Sequence, residues 1–269
     1  MYLADYHVHS RISKDCAVPM EEMAAAAVAA GLNELCFTDH LDVVDWRAER
    51  QPSAFDWGAL EEEFSGVQAK WGEKIRLRLG IELGDMPFNR AHAETLMAAA
   101  PELDFIIGSV HLPSDRISPL DLYHYRPQNE AAAYRCMEDY LELVLQLAKW
   151  GQFSVLGHLT LPLRYFNGLL GYQLSFDRYG AEMEEILRTL IQNGCGIELN
   201  TNRGDTPLPD EKWLRLYRSL GGEIITLGSD AHSTGMLGCA VAENRRLLKD
   251  CGFTKFCTFE RMQPIWQEL

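Results

Sequence analysis

Short runs of β-branched and aromatic residues alternate along this chain with longer segments of helical pattern. Such alternation is typical of parallel β/α folds, in which helices cover the sheet. Barrels of this kind routinely reach 269 residues as one unit, so we expect one domain, with residues 255–269 left to close or cover the barrel. The predicted strands are 2–8, 34–38, 75–83, 105–110, 153–156, 196–200 and 223–228, and the predicted helices are 20–30, 57–71, 89–99, 129–150, 175–193, 211–220 and 240–250.

Charge and cysteine usage narrow the class of protein. A formal net charge of -14 argues against a surface that grips nucleic acid through its phosphates. A phosphate substrate remains compatible, because bound divalent ions can make a pocket positive within an acidic protein. No segment resembles a secretory leader or the roughly 20 apolar residues that cross a bilayer. The 7 cysteines include no Cys-x-x-Cys pair. We therefore expect a cytoplasmic protein with reduced thiols and no membrane partner.

Metal-capable side chains follow six of the seven predicted strands, at the end where parallel β/α folds bind ligands. Residues two apart on a strand share a face, so His7 and His9 can chelate one ion together. Any one of these side chains alone would more often be a packed or solvated residue. Together at one rim they would be costly to bury without a ligand, which favours a metal site. They are His7, His9, His40, Glu82, His111, His158, Asp230 and His232.

The ligand types indicate which metals suit this site. Imidazole and carboxylate without thiolate suit Zn, Mn, Fe or Co, and they suit catalytic sites that keep positions open for water and substrate. The candidate ligands are too many for one four-coordinate ion. We therefore predict two or three divalent ions, Zn, Mn or Fe, with Glu82 as a bridge between them.

Six short motifs occur in order along the chain, namely Asp5-Tyr-His7-Val-His9-Ser10, Thr38-Asp39-His40, Glu82, Ser109-Val-His111, Gly157-His158 and Ser229-Asp230-Ala-His232. This series, which spans residues 5 to 232, resembles the polymerase and histidinol phosphatase (PHP) family. The resemblance implies a distorted seven-stranded (β/α)7 TIM-like barrel with up to three metals, and one PHP-type phosphoesterase domain over residues 1–269. It places His7, His9, Glu82 and Asp230 on a first ion, Glu82, His111 and His158 on a second, and His40, His232 and Asp15 on a third.

The resemblance also assigns substrate contacts. By resemblance to related phosphatases, Arg164 and Arg203 are expected to hold the substrate phosphate. The planar donor fork of arginine suits that task. The alternative is that both are exposed loop arginines. Ser10 is a further candidate for substrate binding.

Carboxylates near the ligands have other expected roles. Asp5 and Asp39 are expected to orient imidazoles rather than bind metal. Asp39, His232 and a metal-bound water are candidates for proton transfer to the leaving group. Asp15 lies in the loop after the first strand, where relatives use histidine instead, and its alternative is a loop residue or helix cap.

The implied reaction is hydrolysis of a phosphate monoester, foremost L-histidinol phosphate to L-histidinol and phosphate in histidine biosynthesis. Two alternatives stay open. One is a PHP nucleotide or oligonucleotide phosphoesterase, and the other is a non-catalytic metal- or ligand-binding regulatory protein. The chain departs from the family at Thr160, where many relatives have an acidic residue. Residues 112–128 carry no assignable pattern and are read as a lid, a substrate loop or a surface excursion.

Overall fold

Seven parallel strands form the centre of the fold. The computed structural model describes residues 1–269, apart from the side chain of Trp46. Every residue of the first and last of these strands is buried, as expected for strands covered on both faces. Numbered along the chain and given in sheet order, they are β1 (Ala4–Val8), β2 (Glu34–Asp42), β5 (Arg76–Gly84), β6 (Phe105–Ser109), β7 (Val155–Leu156), β8 (Gly196–Asn200) and β9 (Ile225–Gly228).

The chain after β9 returns to β1 and nearly closes the barrel. The backbone N–H of Asp230 donates to the carbonyl of His7 over 2.8 Å, and that of His9 donates to Ala231 over 2.9 Å. Val8 and Ala231 form an isolated parallel bridge. Residues from opposite ends of the chain therefore become neighbours at one rim. The predicted seven-stranded α/β barrel is confirmed.

Seven α-helices accompany the strands, close to the predicted positions. Side-chain caps fix several starts, since Asp56 accepts from the N–H of Ala59 and Asn129 accepts from that of Ala132. None of the described helices is long and apolar enough to cross a membrane. The helices are α1 (Met20–Ala29), α2 (Trp57–Trp71), α3 (Arg90–Ala98), α4 (Glu130–Trp150), α5 (Gly180–Gln192), α6 (Glu211–Ser219) and α7 (Val241–Asp250).

Strand β2 is longer than predicted, and this length matters for the rim. It pairs with β5 without interruption, and the register sets His40 directly opposite Glu82. A two-stranded hairpin that the sequence did not predict follows, made of β3 (Val44–Asp45) and β4 (Gln51–Pro52). Strands of two residues carry no alternation that a sequence pattern can reveal.

The C-terminal residues form an antiparallel hairpin of β10 (Lys255–Glu260) and β11 (Gln263–Glu268). It covers the barrel at the amino ends of the strands, opposite the rim that carries the histidines. The Tyr6 hydroxyl accepts from the N–H of Phe259 over 2.7 Å. The ring of Tyr6 lies edge-on to that of Phe105, with 5.0 Å between centroids. We call this covered end the base of the barrel.

A buried charge network ties the hairpin to the base. The carboxylate of Glu34 is fully buried and accepts from Tyr2, Tyr6 and Arg78, the last over 2.9 Å. The same guanidinium donates to Glu260 of β10 over 3.0 Å. Arg78 thus donates to the Glu34 carboxylate and joins it to the hairpin, whereas the exposed Arg76 lies 3.8 Å from the same carboxylate.

We predict that Arg78→Met destabilises the protein by about 3 kcal/mol, because it takes from the buried Glu34 carboxylate its hydrogen-bonded cation and leaves the exposed Arg76 3.8 Å away. The matched control is Arg90→Met, since Arg90 is exposed and, among the described side chains, forms its ion pair with Glu94 on the same helix surface. The control is expected to cost about 0.5 kcal/mol or less. Urea unfolding measures both values, and equal values for the two variants would contradict the assignment.

Candidate metal centre

The predicted metal ligands gather at the carboxyl ends of the barrel strands. His7 and His9 lie at the end of β1, His40 and Glu82 lie on β2 and β5, and the others follow β6, β7 and β9. Parallel strands deliver their carboxyl ends to one rim, and near-closure of the barrel brings the first and last of them into contact. The structure thus brings together all eight side chains predicted at the strand ends.

Glu82 lies at the centre of this group. Its carboxylate is fully buried and has imidazole nitrogens from five histidines around it. Three approach Oε2 and two approach Oε1, so the carboxylate divides the histidines into two sets, as a bridging ligand would. The distances to Oε2 are 3.3 Å from His7, 3.6 Å from His9 and 2.9 Å from His40, and those to Oε1 are 3.1 Å from His111 and 2.9 Å from His158.

Charge coupling within the cluster is strong. Burial alone would raise the pKa of Glu82, but the neighbouring His7, His111 and His40 outweigh it and hold that pKa well below its usual range. Burial alone would lower the pKa of His40, but Glu82, Asp15 and Asp42 together outweigh burial and raise that pKa well above its usual value. For His9 burial prevails, and its pKa lies well below its usual value. A negative carboxylate is therefore retained although its burial opposes ionisation.

The donor set fits metal ions, as the contacts of His7 show. Its Nδ1 donates to Glu198 over 2.7 Å, so in the neutral ring Nε2 carries a lone pair. That lone pair faces Glu82 at 3.3 Å and Asp230 at 3.6 Å. Three acceptors directed at one point require a proton or a metal cation between them. The Nε2 atoms of His7 and His9 and Oε2 of Glu82 are buried without a hydrogen-bond partner among the described residues.

Ligand atoms that lie within 4.8 Å of one another form several groups, which overlap the three sets implied by the family resemblance. The differences are that His9 joins His40 and His232, that His40 joins Glu82 and His111, that His158 joins His7 and Glu82, and that His111 also joins two further carboxylates. The groups are His7, His9 and Asp230; His7, Glu82 and His158; His40, Glu82 and His111; His9, His40 and His232; and Asp42, Asp85 and His111.

Asp15 is brought to the outer edge of the cluster. Its carboxylate lies 3.1 Å from Nε2 of His232 and 3.5 Å from Nε2 of His40. Half-burial opposes its ionisation, but the two histidines prevail and lower its pKa. Its position is the one that a ligand of the third ion would have.

Glu198, on β8, supports the cluster from within and was not singled out in the sequence. Its two oxygens accept from Nδ1 of His7 and, over 2.8 Å, from the backbone N–H of His158. A Cβ at Gly228 would lie 2.2 Å from this carboxylate and 2.5 Å from Cβ of His7, so only glycine at position 228 leaves space for the pair of Glu198 and His7. The available signal was an acidic residue within the sixth predicted strand, where a buried charge needs a partner.

Asp5 and Asp39 are fully buried and accept hydrogen bonds from the turns that follow the strands. Within the described structure, neither carboxylate is hydrogen-bonded to an imidazole ring. Asp5 accepts from Ser229, from the N–H of Gly238 and from the N–H of His7. It thereby joins the ends of β1 and β9.

Asp39 acts in the same way on the loop after β1. It accepts from the N–H and hydroxyl of Ser10 and from those of Ser13. Ser13 in turn lies 3.1 Å from Nδ1 of His9, so Asp39 orients that ring through one intermediate hydroxyl. Ser10 is fully buried, and its hydroxyl is engaged by Asp39.

The two arginines predicted to hold phosphate differ in setting. Arg164 is largely buried, and its fork donates to Asn202 over 2.8 Å, to Asn200 over 2.7 Å and to Asp230. Arg203 is exposed, with a left-handed φ of 59°. Both line the same cavity of about 1130 Å³ as the metal ligands.

The remaining cavity wall includes residues that the sequence analysis did not assign. Asp42 lies two residues after His40 on β2 and 3.6 Å from Nδ1 of His111. Its spacing from His40 was a usable signal, because residues two apart share a strand face. Part of the unassigned 112–128 segment, including Asp121 and Tyr123, also lines the cavity. Thr160 is buried behind the rim.

The sequence is similar to those of known phosphatases over nearly its whole length. The chain is 29% identical over 268 residues to the histidinol-phosphatase of Lactococcus lactis subsp. lactis, an alignment that covers 96% of this chain and 95% of the relative. It is 27% identical to a probable histidinol-phosphatase of Deinococcus radiodurans, with 97% and 99% covered.

A solved structure has the same fold. It is the histidinol phosphate phosphatase of Lactococcus lactis complexed with Zn, L-histidinol and phosphate, with a TM-score of 0.82, 26% identity and 98% of each chain covered. The model of the PHP domain family matches residues 5–202, which include every candidate ligand from His7 to His158 and also Glu198. With its fold, its rim of ligands and this match in agreement, the chain belongs to the PHP domain family.

Proposed function

We propose that the chain hydrolyses L-histidinol phosphate to L-histidinol and inorganic phosphate. The observation that carries this proposal is the buried Glu82 carboxylate with five imidazoles around it, beside a cavity lined by Arg164 and Arg203. Two relatives that match nearly the whole chain are named histidinol-phosphatase or probable histidinol-phosphatase. The solved structure of similar fold holds Zn, L-histidinol and phosphate.

Two or three divalent ions, zinc foremost, would be held by the residues of the cluster. Glu82 would bridge, with His111 and His158 on its Oε1 side and His7, His9 and His40 on its Oε2 side. When bound, such ions lower the pKa of water and stabilise charge on phosphoryl oxygens. Asp230 and His232 would complete the set, with Asp15 at the outer edge.

Substrate handling falls to side chains that line the cavity. The buried fork of Arg164 would bind phosphate oxygens in the geometry that Asn200 and Asn202 impose on it. Arg203 would approach the phosphate from the exposed side. Of the two candidate side chains for proton transfer to the leaving alkoxide, His232 lines the cavity, whereas Asp39 is fully buried.

We further propose that residues 1–269 work as one PHP-type domain in the cytoplasm. The hydrogen bond from Phe259 to Tyr6 supports the single unit, because it joins the C-terminal hairpin to the first strand. All seven cysteines are free and six of them are buried, as expected for a protein of a reducing compartment.

Glu82→Gln is expected to lower metal content and to reduce activity by about 100-fold or more, because it removes the charge shared by five imidazoles. Metal analysis of the purified protein, before and after reconstitution with zinc, measures the first effect. Glu94→Gln is the control, since Glu94 is exposed on α3. Fewer than one ion per chain in the reconstituted parent protein would refute the multi-metal site.

A panel of phosphate monoesters tests the substrate. We expect kcat/KM for histidinol phosphate to exceed that for nucleoside monophosphates and phenyl phosphate by about 100-fold, the discrimination that a few polar contacts supply. Phosphate release measured on the zinc-reconstituted enzyme gives the values. Equal rates across the panel would remove histidinol phosphate as the substrate while leaving phosphatase activity in place.

Arg203→Met is expected to reduce kcat/KM by about 10-fold for every ester in the panel, since the phosphate is common to all and one charged hydrogen bond is lost. Arg188→Met is the control, because Arg188 is half-exposed and pairs with Glu184 on α5. A loss confined to a single substrate would show that Arg203 contacts the alcohol instead.

A further inference from the structure

Aromatic side chains continue the cavity wall outward from Arg164. Tyr165 follows it in the chain, and the ring of Tyr123 lies edge-on to that of Tyr165 with 5.7 Å between centroids. The ring of His124 lies 4.9 Å from that of Tyr123. All of these residues line the cavity. A wall of rings therefore begins at the arginine that pairs with a metal ligand and ends at the cavity mouth.

The carboxylate of Asp121 lies at the outer end of this wall. Oδ1 of Asp121 accepts from the N–H of His124 and lies 2.7 Å from its Nδ1. Within the described residues, the hydrogen bonds to this carboxylate end on Oδ1, which leaves Oδ2 for a ligand. The same cavity is lined by other charged side chains of both signs, among them Asp205, Asp210, Lys14 and Arg203. What distinguishes Asp121 is its place beside the rings of Tyr123 and His124, at the opposite end of this wall from Arg164.

The segment that carries the wall is held firmly by buried charges. Arg50, from β3–β4, donates through Nη2 to the carbonyls of Pro113 and Ser118 over 2.7 and 2.8 Å. Asp139 of α4 is buried and accepts from Ser114 over 2.7 Å. These contacts fix an irregular segment by its backbone, as a binding wall requires and a loose surface excursion does not.

The same segment is also tied to the rim. Asp85, which is buried after β5, accepts from the N–H groups of His111 and Leu112 over 2.8 and 3.0 Å. The N–H of Leu122 returns to the carbonyl of His111 over 2.9 Å. The position of Tyr123 is therefore set relative to a residue of the metal cluster.

We propose that Asp121, Tyr123 and His124 form the site for the leaving alcohol and select one that carries both an aromatic ring and a positive charge. This inference rests on the proposed function, since it places the two halves of a dipolar ester at opposite ends of one cavity. The rings of Tyr123 and His124 contact the aromatic group, and Asp121 contacts the cation. Stacking and charge pairing each favour such an alcohol over a neutral aliphatic one.

Asp121→Asn tests the charge. Asparagine keeps an oxygen that accepts from His124 but removes the negative charge, so the segment keeps its local hydrogen bond. On the zinc-reconstituted enzyme we expect KM for histidinol phosphate to rise about 10-fold, while KM for phenyl phosphate, which has a ring but no cation, changes less than about 2-fold. Asp177→Asn is the control, because Asp177 is exposed and does not line the cavity.

Tyr123 tests the ring. Tyr123→Ala is expected to raise KM for both aromatic esters by about 5-fold, and Tyr123→Phe is expected to restore both, because it keeps the ring. Equal changes in KM for the two esters in Asp121→Asn would indicate a structural role and overturn the proposal. Unchanged KM values in Asp121→Asn and Tyr123→Ala would overturn it as well. A parent enzyme without preference for histidinol phosphate would instead refute the proposed function.

Discussion

The carboxylate of Glu82 imposes the central constraint on this molecule. It is shut away from water, and the cations available to it are imidazolium groups or bound metal ions. The ends of five strands must therefore lie within a few ångströms of the Glu82 carboxylate to bring the imidazoles to it. The continuous pairing of β2 with β5 places one of them, since it sets His40 opposite Glu82. Ion binding and order at the rim are consequently coupled.

The acidic residues around the rim divide into two sets by what they touch. Glu82 and Asp230 face the imidazoles, whereas Asp5 and Asp39 accept hydrogen bonds from serines and from turn backbone. Glu198 belongs to both sets, because one oxygen fixes a ring and the other fixes a main-chain N–H. The chain thus uses carboxylates both among the candidate metal ligands and in holding the turns that present those ligands.

Much of the barrel and its ligands could be predicted from the sequence, because alternating strands and helices place strand ends at one rim. Periodicity does not state which distant side chain an inward residue will meet, so the bond of Glu198 to His7, which is 191 residues away, was out of reach. The 112–128 segment was left unassigned for a similar reason. Its conformation depends on Arg50 and Asp139 from other elements rather than on local preference.

The C-terminal hairpin puts both chain ends on the base of the barrel. Tyr2 contacts the buried Glu34 there, and the N–H of Leu269 returns to Thr254 just ahead of β10. The cavity opens on the opposite face. A bead, an electrode surface or a second enzyme joined through either terminus would therefore leave the catalytic mouth turned towards solution.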